Sequence, residues 1–204
     1  PSFNLNYMSG KFSLNASANV SYRPKNDFKL VENTHYSSLN ADLNSTSKSK
    51  DRTLYGRAAI GAFYDFDAKN SVGAELSYSS NHNKSTLNTN SDFAYIDDSH
   101  LFTKGEYRTH SDRDYWDARL NYLHKIDSLG SVFKIIASYS NNDNSSDGNN
   151  SMTTTGNEVT DSIFRNDVTN KYKVTNIGAD LIKQLNPTWK LSAGAKFTNN
   201  RMDN

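Results

Sequence analysis

The residues best equipped for chemistry in this chain are five histidines and several closely spaced acids. His35, His82, His100, His110 and His124 are scattered, with no HExxH and no spacing that would close a zinc site, so they read as solvated side chains. YIDDSH supplies Asp97, Asp98 and His100, and SDRDYWD supplies Asp112, Asp114 and Asp117. Carboxylates this close can hold a cation or divide acid and base roles. Both groups lie in or beside long polar stretches, however, where hydrated acids are expected.

The stretch DNSSDGNNSMTT, starting at Asp143, has the acids of a calcium loop at Asp143 and Asp147 and its glycine at Gly148. Its third position is Ser145, and Thr154 stands where the bidentate glutamate is needed. No Walker A, GxGxxG or GxSxG motif occurs. Cysteine is absent, which excludes a disulfide framework and thiolate metal sites. The expectation is a non-enzymatic protein with no catalytic residues, no metal and no cofactor. The remaining means of ligand contact is aromatic: Tyr36, Phe93, Tyr95, Phe102 and Tyr107 lie in the polar segments, able to stack on a sugar ring or grip a peptide. A net charge of +1 gives no pull on nucleic acid.

The elements that must position these residues follow from alternation. KFSLNASANVSY, residues 11–22, puts Phe12, Leu14, Ala16, Ala18, Val20 and Tyr22 on one side and Ser13, Asn15, Ser17, Asn19 and Ser21 on the other. That is a strand with one apolar and one wholly polar face. The same period recurs in eight stretches forming four hairpins, with tight turns near 9–10, 67–71, 127–130 and 184–188. Between the hairpins run polar segments at about 23–52, 79–113 and 141–170, which show little hydrophobic periodicity and read as long loops. Tight turns at one end and long loops at the other match an outer-membrane barrel, with its short periplasmic turns and longer extracellular loops. No window approaches 18 consecutive apolar residues, which excludes a membrane helix but not a membrane strand of about 9 to 11 alternating residues.

Order within the apolar faces separates a lipid wall from a soluble core. Phe12 and Tyr22 bracket Leu-Ala-Ala-Val, Trp116 and Tyr122 bracket Ala-Leu, Phe133 and Tyr139 bracket Ile-Ala, and Trp189 and Phe197 bracket Leu-Ala-Ala. A packed core would place its bulk in the middle, where burial is worth roughly 1.5–3 kcal/mol per large side chain. A lipid-facing strand instead carries amphipathic rings at the two headgroup levels, so these eight rings are expected to form the membrane aromatic girdle. Ten steps from Phe12 to Tyr22, tilted as in barrels, rise roughly 24 Å, close to the apolar band of about 25 Å. The opposite face carries Arg57, Glu75, Asp117, Arg119, Asp180 and Lys196 and must meet water. The expected fold is all-β: an antiparallel, up-and-down transmembrane β-barrel segment of about eight strands in the lipid bilayer.

At LNYMSGKFSLNASANVSYR and LIKQLNPTWKLSAGAKFTNNRMDN the sequence resembles the outer-membrane β-barrel family common in Bacteroidetes, the barrel portion of TonB-dependent-receptor-like proteins. The shared features are a tyrosine-containing strand, a short Gly-Lys turn, and a later strand running from leucine through Ala-Gly-Ala-Lys to an aromatic. The resemblance implies a cell outer-membrane barrel of about 22 strands, of which residues 1–204 would be a partial domain. It further implies a plug domain, an energising TonB-type protein, the barrel-assembly machinery and a surface lipoprotein as partners, and import of a nutrient ligand as function. Two other readings stand beside it. One is a complete small eight-stranded barrel with an adhesion or structural role; the other is a secreted β-sandwich that binds carbohydrate.

Overall fold

The computed structural model describes residues 1–156 and 158–203. Each alternating stretch forms a strand bonded to its neighbour in sequence: β1 (Ser2–Ser9), β2 (Phe12–Tyr36), β3 (Ala41–Asp65), β4 (Asn70–Tyr95), β5 (His100–Lys125), β6 (Val132–Thr155), β7 (Val159–Gln184) and β8 (Lys190–Asp203). All pairings are antiparallel and the strand order is β1 through β8 in a single sheet. Among the described residues β1 and β8 do not pair with each other, so the sheet is open at both edges.

A β-sandwich needs a second sheet to cover the first. Here there is one sheet, and Ala41 is the one buried apolar residue of the described chain, while Leu5, Val20, Ile60, Leu76, Leu120 and Ile177 are all exposed. The sandwich reading is therefore corrected: the apolar face has no protein to cover it.

The segments read as long loops are also corrected. The polar stretches 23–52, 79–113 and 141–170 continue the strands almost to their tips, and the connections between Tyr36 and Ala41, Tyr95 and His100, and Thr155 and Val159 are as short as those at the opposite end. Strands β2 to β7 run 24 to 26 residues each, more than twice what a bilayer requires. Side-chain pairing across the sheet explains why polar sequence is extended here. Ser45 and Ser91 hydroxyls meet at 3.1 Å, Ser47 and Thr89 at 3.0 Å, and Thr53 donates to Asn83 at 3.1 Å. Such Ser and Thr pairs stabilise neighbouring strands without any apolar face. The calcium-loop reading falls with the same finding, because Asp143 to Thr154 lies within extended β6 and cannot wrap an ion.

Positive φ marks the reversals. Gly10 (φ 55) and Gly130 (φ 99) serve two of the hairpin turns that follow the aromatic ends of the strands. In the turn after β5, Asp127 accepts from Leu129 N at 3.0 Å, Ser131 N at 3.1 Å and Lys183 Nζ at 2.7 Å, and the buried Ser131 hydroxyl accepts from Gln184 N at 2.9 Å. These bonds, the Lys183 ammonium foremost, hold the Asp127 carboxyl well below the usual carboxylate range.

Candidate functional site: a lipid-facing wall and the rim above it

The register settles which side chains share a face. Leu14, Ala62, Ala74, Leu120, Ala137, Ile177 and Phe197 lie on one continuous row across seven strands. The row above it reads Leu5, Ala16, Ile60, Leu76, Ala118 and Tyr139. No charged residue enters this outer face between the aromatic levels. Arg57, Glu75, Asp117, Arg119, Asp180 and Lys196 all fall on the inner face, where Arg119 approaches Glu75 at 3.5 Å and Asp117 at 3.7 Å.

The eight rings expected in the girdle all stand on the outer face or, for Trp189, at the mouth of the last turn in the same alternation. Phe12, Tyr122, Phe133 and Trp189 lie toward the hairpin turns, and Tyr22, Trp116, Tyr139 and Phe197 toward the other end. Tyr7, Tyr64 and Tyr78 share this face at the ends of their apolar runs. The polar tips point away from the band: Tyr122 donates to Asn70 at 2.7 Å beside the turn, and Tyr78 donates to Asp114 at 2.6 Å on the far side. Trp116 and Tyr139 pack at 4.9 Å between ring centres.

The ring levels slant against the register. Phe197 on β8 aligns with Leu14 on β2, eight residues before Tyr22, so the upper level drops eight residues across six strand-to-strand steps. At about 3.3 Å per residue and about 4.8 Å between strands, this slope is roughly 42°. Strands of membrane barrels tilt by about 35–45°. A flat membrane surface therefore cuts this sheet at the angle a barrel wall requires. A depression of about 610 Å³ is lined mainly by outer-face residues such as Leu14, Ile60, Ala62, Leu76 and Leu120, with Glu75, Arg119, Ser138 and Asn176 also in its lining.

Beyond the girdle the strands continue into a rim. A bulge lies between Arg23 and Asn26, at Pro24, whose missing N–H suits an irregular ladder position. The extra residue swaps the faces of the rest of β2, carrying Phe28, Leu30 and Tyr36 inward and Lys29 and His35 outward. Of the aromatic ligand candidates, Tyr36, Phe93, Tyr95 and Tyr107 share the inner face, and Tyr36 stacks on Phe93 at 5.4 Å with Tyr95 at 6.2 Å from Phe93. Phe102 lies on the outer face, stacked on His100 at 5.5 Å.

Sequence spacing missed a second arrangement. Four histidines face aspartates on the outer side of the rim: His35 to Asp42 at 2.7 Å, His82 to Asp112 at 2.6 Å, His100 to Asp92 at 2.9 Å, and His110 to Asp112 at 3.2 Å. The register brings His82 to Asp112 across 30 residues, whereas His110 and Asp112 lie two apart on β5. Asp97 is tied to Ser99 in a tip turn, which holds its carboxyl below the usual range. Among the described residues no group of three or more His, Asp or Glu is placed to hold a metal ion.

A family model described as "Outer membrane protein beta-barrel family" matches residues 124–204. Among solved structures, the chain is similar to BauA, the ferric preacinetobactin receptor of Acinetobacter baumannii, with a TM-score of 0.50 and 10% identity over 99% of this chain and 39% of that one. FpvA of P. aeruginosa, solved bound to heterologous pyoverdines, follows at a TM-score of 0.31, 7% identity, 93% of this chain and 36% of that. The toluene transporter TodX of Pseudomonas putida gives 0.23 and 10%, with 98% and 68% covered. No curated protein matches the sequence. The likeness to BauA bears on the fold: the chain is an outer-membrane β-barrel wall of eight up-and-down strands. It lies in the outer membrane and spans about two fifths of the length of that receptor.

Proposed function

We propose that these residues are part of a larger barrel, of about 22 strands, belonging to a TonB-dependent receptor that imports a nutrient ligand. The observation that carries this reading is the open sheet. An exposed strand edge in a bilayer leaves N–H and C=O groups unbonded, so β1 and β8 need further strands as neighbours. The coverage of 39% of a receptor's chain agrees with a wall segment rather than a whole barrel. In this function the rim aromatics Tyr36, Phe93, Tyr95 and Tyr107 contact ligand above the membrane, and the plug and energising protein act from outside these residues. The role of the chain itself is structural and non-enzymatic, with lipid and the assembly machinery as its direct partners and a surface lipoprotein above the rim.

Uptake of ligand by the parent protein should stop when the inner-membrane energising complex is deleted. Uptake that continues at the parental rate would overturn the transport reading. A second reading is favoured by the strand count, since eight strands can close into a small barrel. Cysteines placed at Leu5 or Tyr7 on β1 and Ala193 or Ala195 on β8 separate the two, because the chain has no cysteine of its own. Crosslinking within one molecule identifies the small barrel with its adhesion or structural role; no crosslink in any combination supports the larger wall.

A further inference from the structure

Of the His and Asp contacts on the outer face, one carries a third group. His82 Nδ1 meets Asp112 Oδ1 at 2.6 Å, and its other ring nitrogen, Nε2, meets the Ser80 hydroxyl at 3.1 Å. Among the described residues, no serine or threonine hydroxyl is bonded to His35, His100 or His110. The carboxylate fixes the tautomer: Nδ1 keeps the proton and donates it to Asp112, which leaves the Nε2 lone pair to accept from Ser80 Oγ. Period two puts Ser80 and His82 on one face of β4, and the register sets Asp112 of β5 opposite His82. A hydroxyl, an imidazole and an orienting carboxylate linked in this order are the parts of an acyl-transfer site, which is defined by geometry and roles and not by chain order.

The three side chains stand at the height of a lipid ester. Tyr22 shares a row with His82, and Trp116 shares one with Tyr78, so the upper ring level falls by four residues between β2 and β5. Interpolated to β4, it passes within about one residue of Ser80, roughly 3 Å. Acyl esters join hydrocarbon to headgroup at this same boundary. On the β3 side Ser80 faces Gly56, where no atom stands within 4 Å of the place a Cβ would take, so that flank of the hydroxyl is open. Just below it a groove of about 290 Å³ runs over Phe3, Ala18, Ala58 and Tyr78, with Ser17 and Ala59 also in its lining. On the β5 side Asp114 faces Ser80 and accepts from the Tyr78 phenol at 2.6 Å, and both lie within hydrogen-bonding reach of the serine. Lys84 follows His82 on the same column, Leu54 faces it from β3, and His110 shares Asp112 at 3.2 Å.

We infer that Ser80, His82 and Asp112 form an acyl-hydrolase site on the lipid-facing wall, acting on the carboxylic esters of an outer-leaflet lipid. An acyl chain lying in the groove brings its ester to the gap at Gly56. Ser80 Oγ adds to the carbonyl carbon as its proton passes to His82 Nε2. The bond from that carbon to the alkoxy oxygen then breaks, the imidazolium protonates the departing oxygen of the lysolipid, and the acyl group stays on Ser80. Water, giving its proton to the same nitrogen, adds to the acyl carbon and releases the carboxylic acid, which restores the serine. Asp112 positions the ring and stabilises the imidazolium. The backbone N–H groups of β4 are engaged by β3 and β5, so the donor to the oxyanion is a side chain, and the Tyr78 phenol beside Ser80 supplies it. This activity lies beyond the structural, non-enzymatic part that the wall plays in transport, and it stands whether or not the parent protein imports a ligand.

The test presents the purified parent protein with diacyl phosphatidylethanolamine in one set of mixed micelles and hexa-acylated lipid A in another, with diether phosphatidylethanolamine as the blank, and measures released fatty acid. At least one of the two esters should release acid, which identifies the lipid, and the diether should release none. S80A and H82N should lower release by about a hundredfold or more and D112N by about tenfold or more. H100A, which removes a histidine bonded to an aspartate but to no hydroxyl, should leave it within about twofold. A fluorophosphonate gives a second readout that needs no lipid: it should label Ser80 in the parent, read from the mass of the Ser80 peptide, and should not label it in H82N that retains the heat-resistant folded form. No acid from either ester, release unchanged in S80A, or a parent Ser80 that the fluorophosphonate leaves unmarked would overturn the inference.

Discussion

Replacing Ala16 with arginine tests the assignment of faces at its most exposed point. Ala16 lies four residues beyond Phe12 and six before Tyr22, paired with Ile60, and so stands near the middle of the apolar band. At about 3.3 Å per residue and 40–45° of tilt, it is roughly 10 Å from one ring level and 14 Å from the other. Arginine at the midplane on a lipid face costs about 2–4 kcal/mol, which is a shift of roughly 30-fold to several hundredfold in the folding equilibrium. Ser17, the next residue, pairs with Ala59 on the inner face near Arg57, and arginine there should change stability by less than about 1 kcal/mol. Denaturant unfolding of the parent protein in lipid vesicles, followed by tryptophan fluorescence, measures both. Equal losses for Ala16→Arg and Ser17→Arg, or a greater loss for Ser17→Arg, would refute the assignment of the apolar face to lipid.

Three further outcomes are expected. Gly130→Ala should slow or weaken the β5–β6 hairpin by about 1–2 kcal/mol, because φ 99 is unfavourable for a residue with a Cβ; the same unfolding assay reads it. The depressed Asp127 carboxyl makes its turn acid-sensitive. The stabilisation is complete above the ordinary aspartate pKa near 4 and is lost as pH falls through the lower native value, so Asp127→Asn should flatten the acid limb of a stability–pH curve. For ligand capture, Tyr36→Ala or Phe93→Ala should reduce binding of the imported ligand to the parent protein by about tenfold in isothermal titration, since each breaks the stacked inner-face pair; Phe102→Ala, on the outer face, should leave it within about twofold.

The wall was legible because its signal is local. In β2, period-two alternation from Phe12 to Tyr22 names both faces, and rings close both ends of an alanine-rich run, without any knowledge of the neighbours. The rim was not legible. From Ser79 to Arg113 apolar side chains are too sparse to alternate, although β4 and β5 continue through it, held by hydroxyl and amide pairs whose partners lie 30 to 46 residues away. Hydrophobic pattern cannot report a strand that has no hydrophobic face.

The sequence by itself determined the element type, the direction of each wall strand and the chemistry of its two sides, because a strand displays these in every second residue. Tertiary structure decided which distant residues meet. The register set His82 against Asp112, Lys84 against Arg52 and Tyr36 against Phe93, and the bulge at Pro24 exchanged the two faces of half a strand. One extra residue reverses every later side chain when the period is two, so the outer contact of His35 with Asp42 and the inner aromatic rim depend on pairing geometry that composition does not carry.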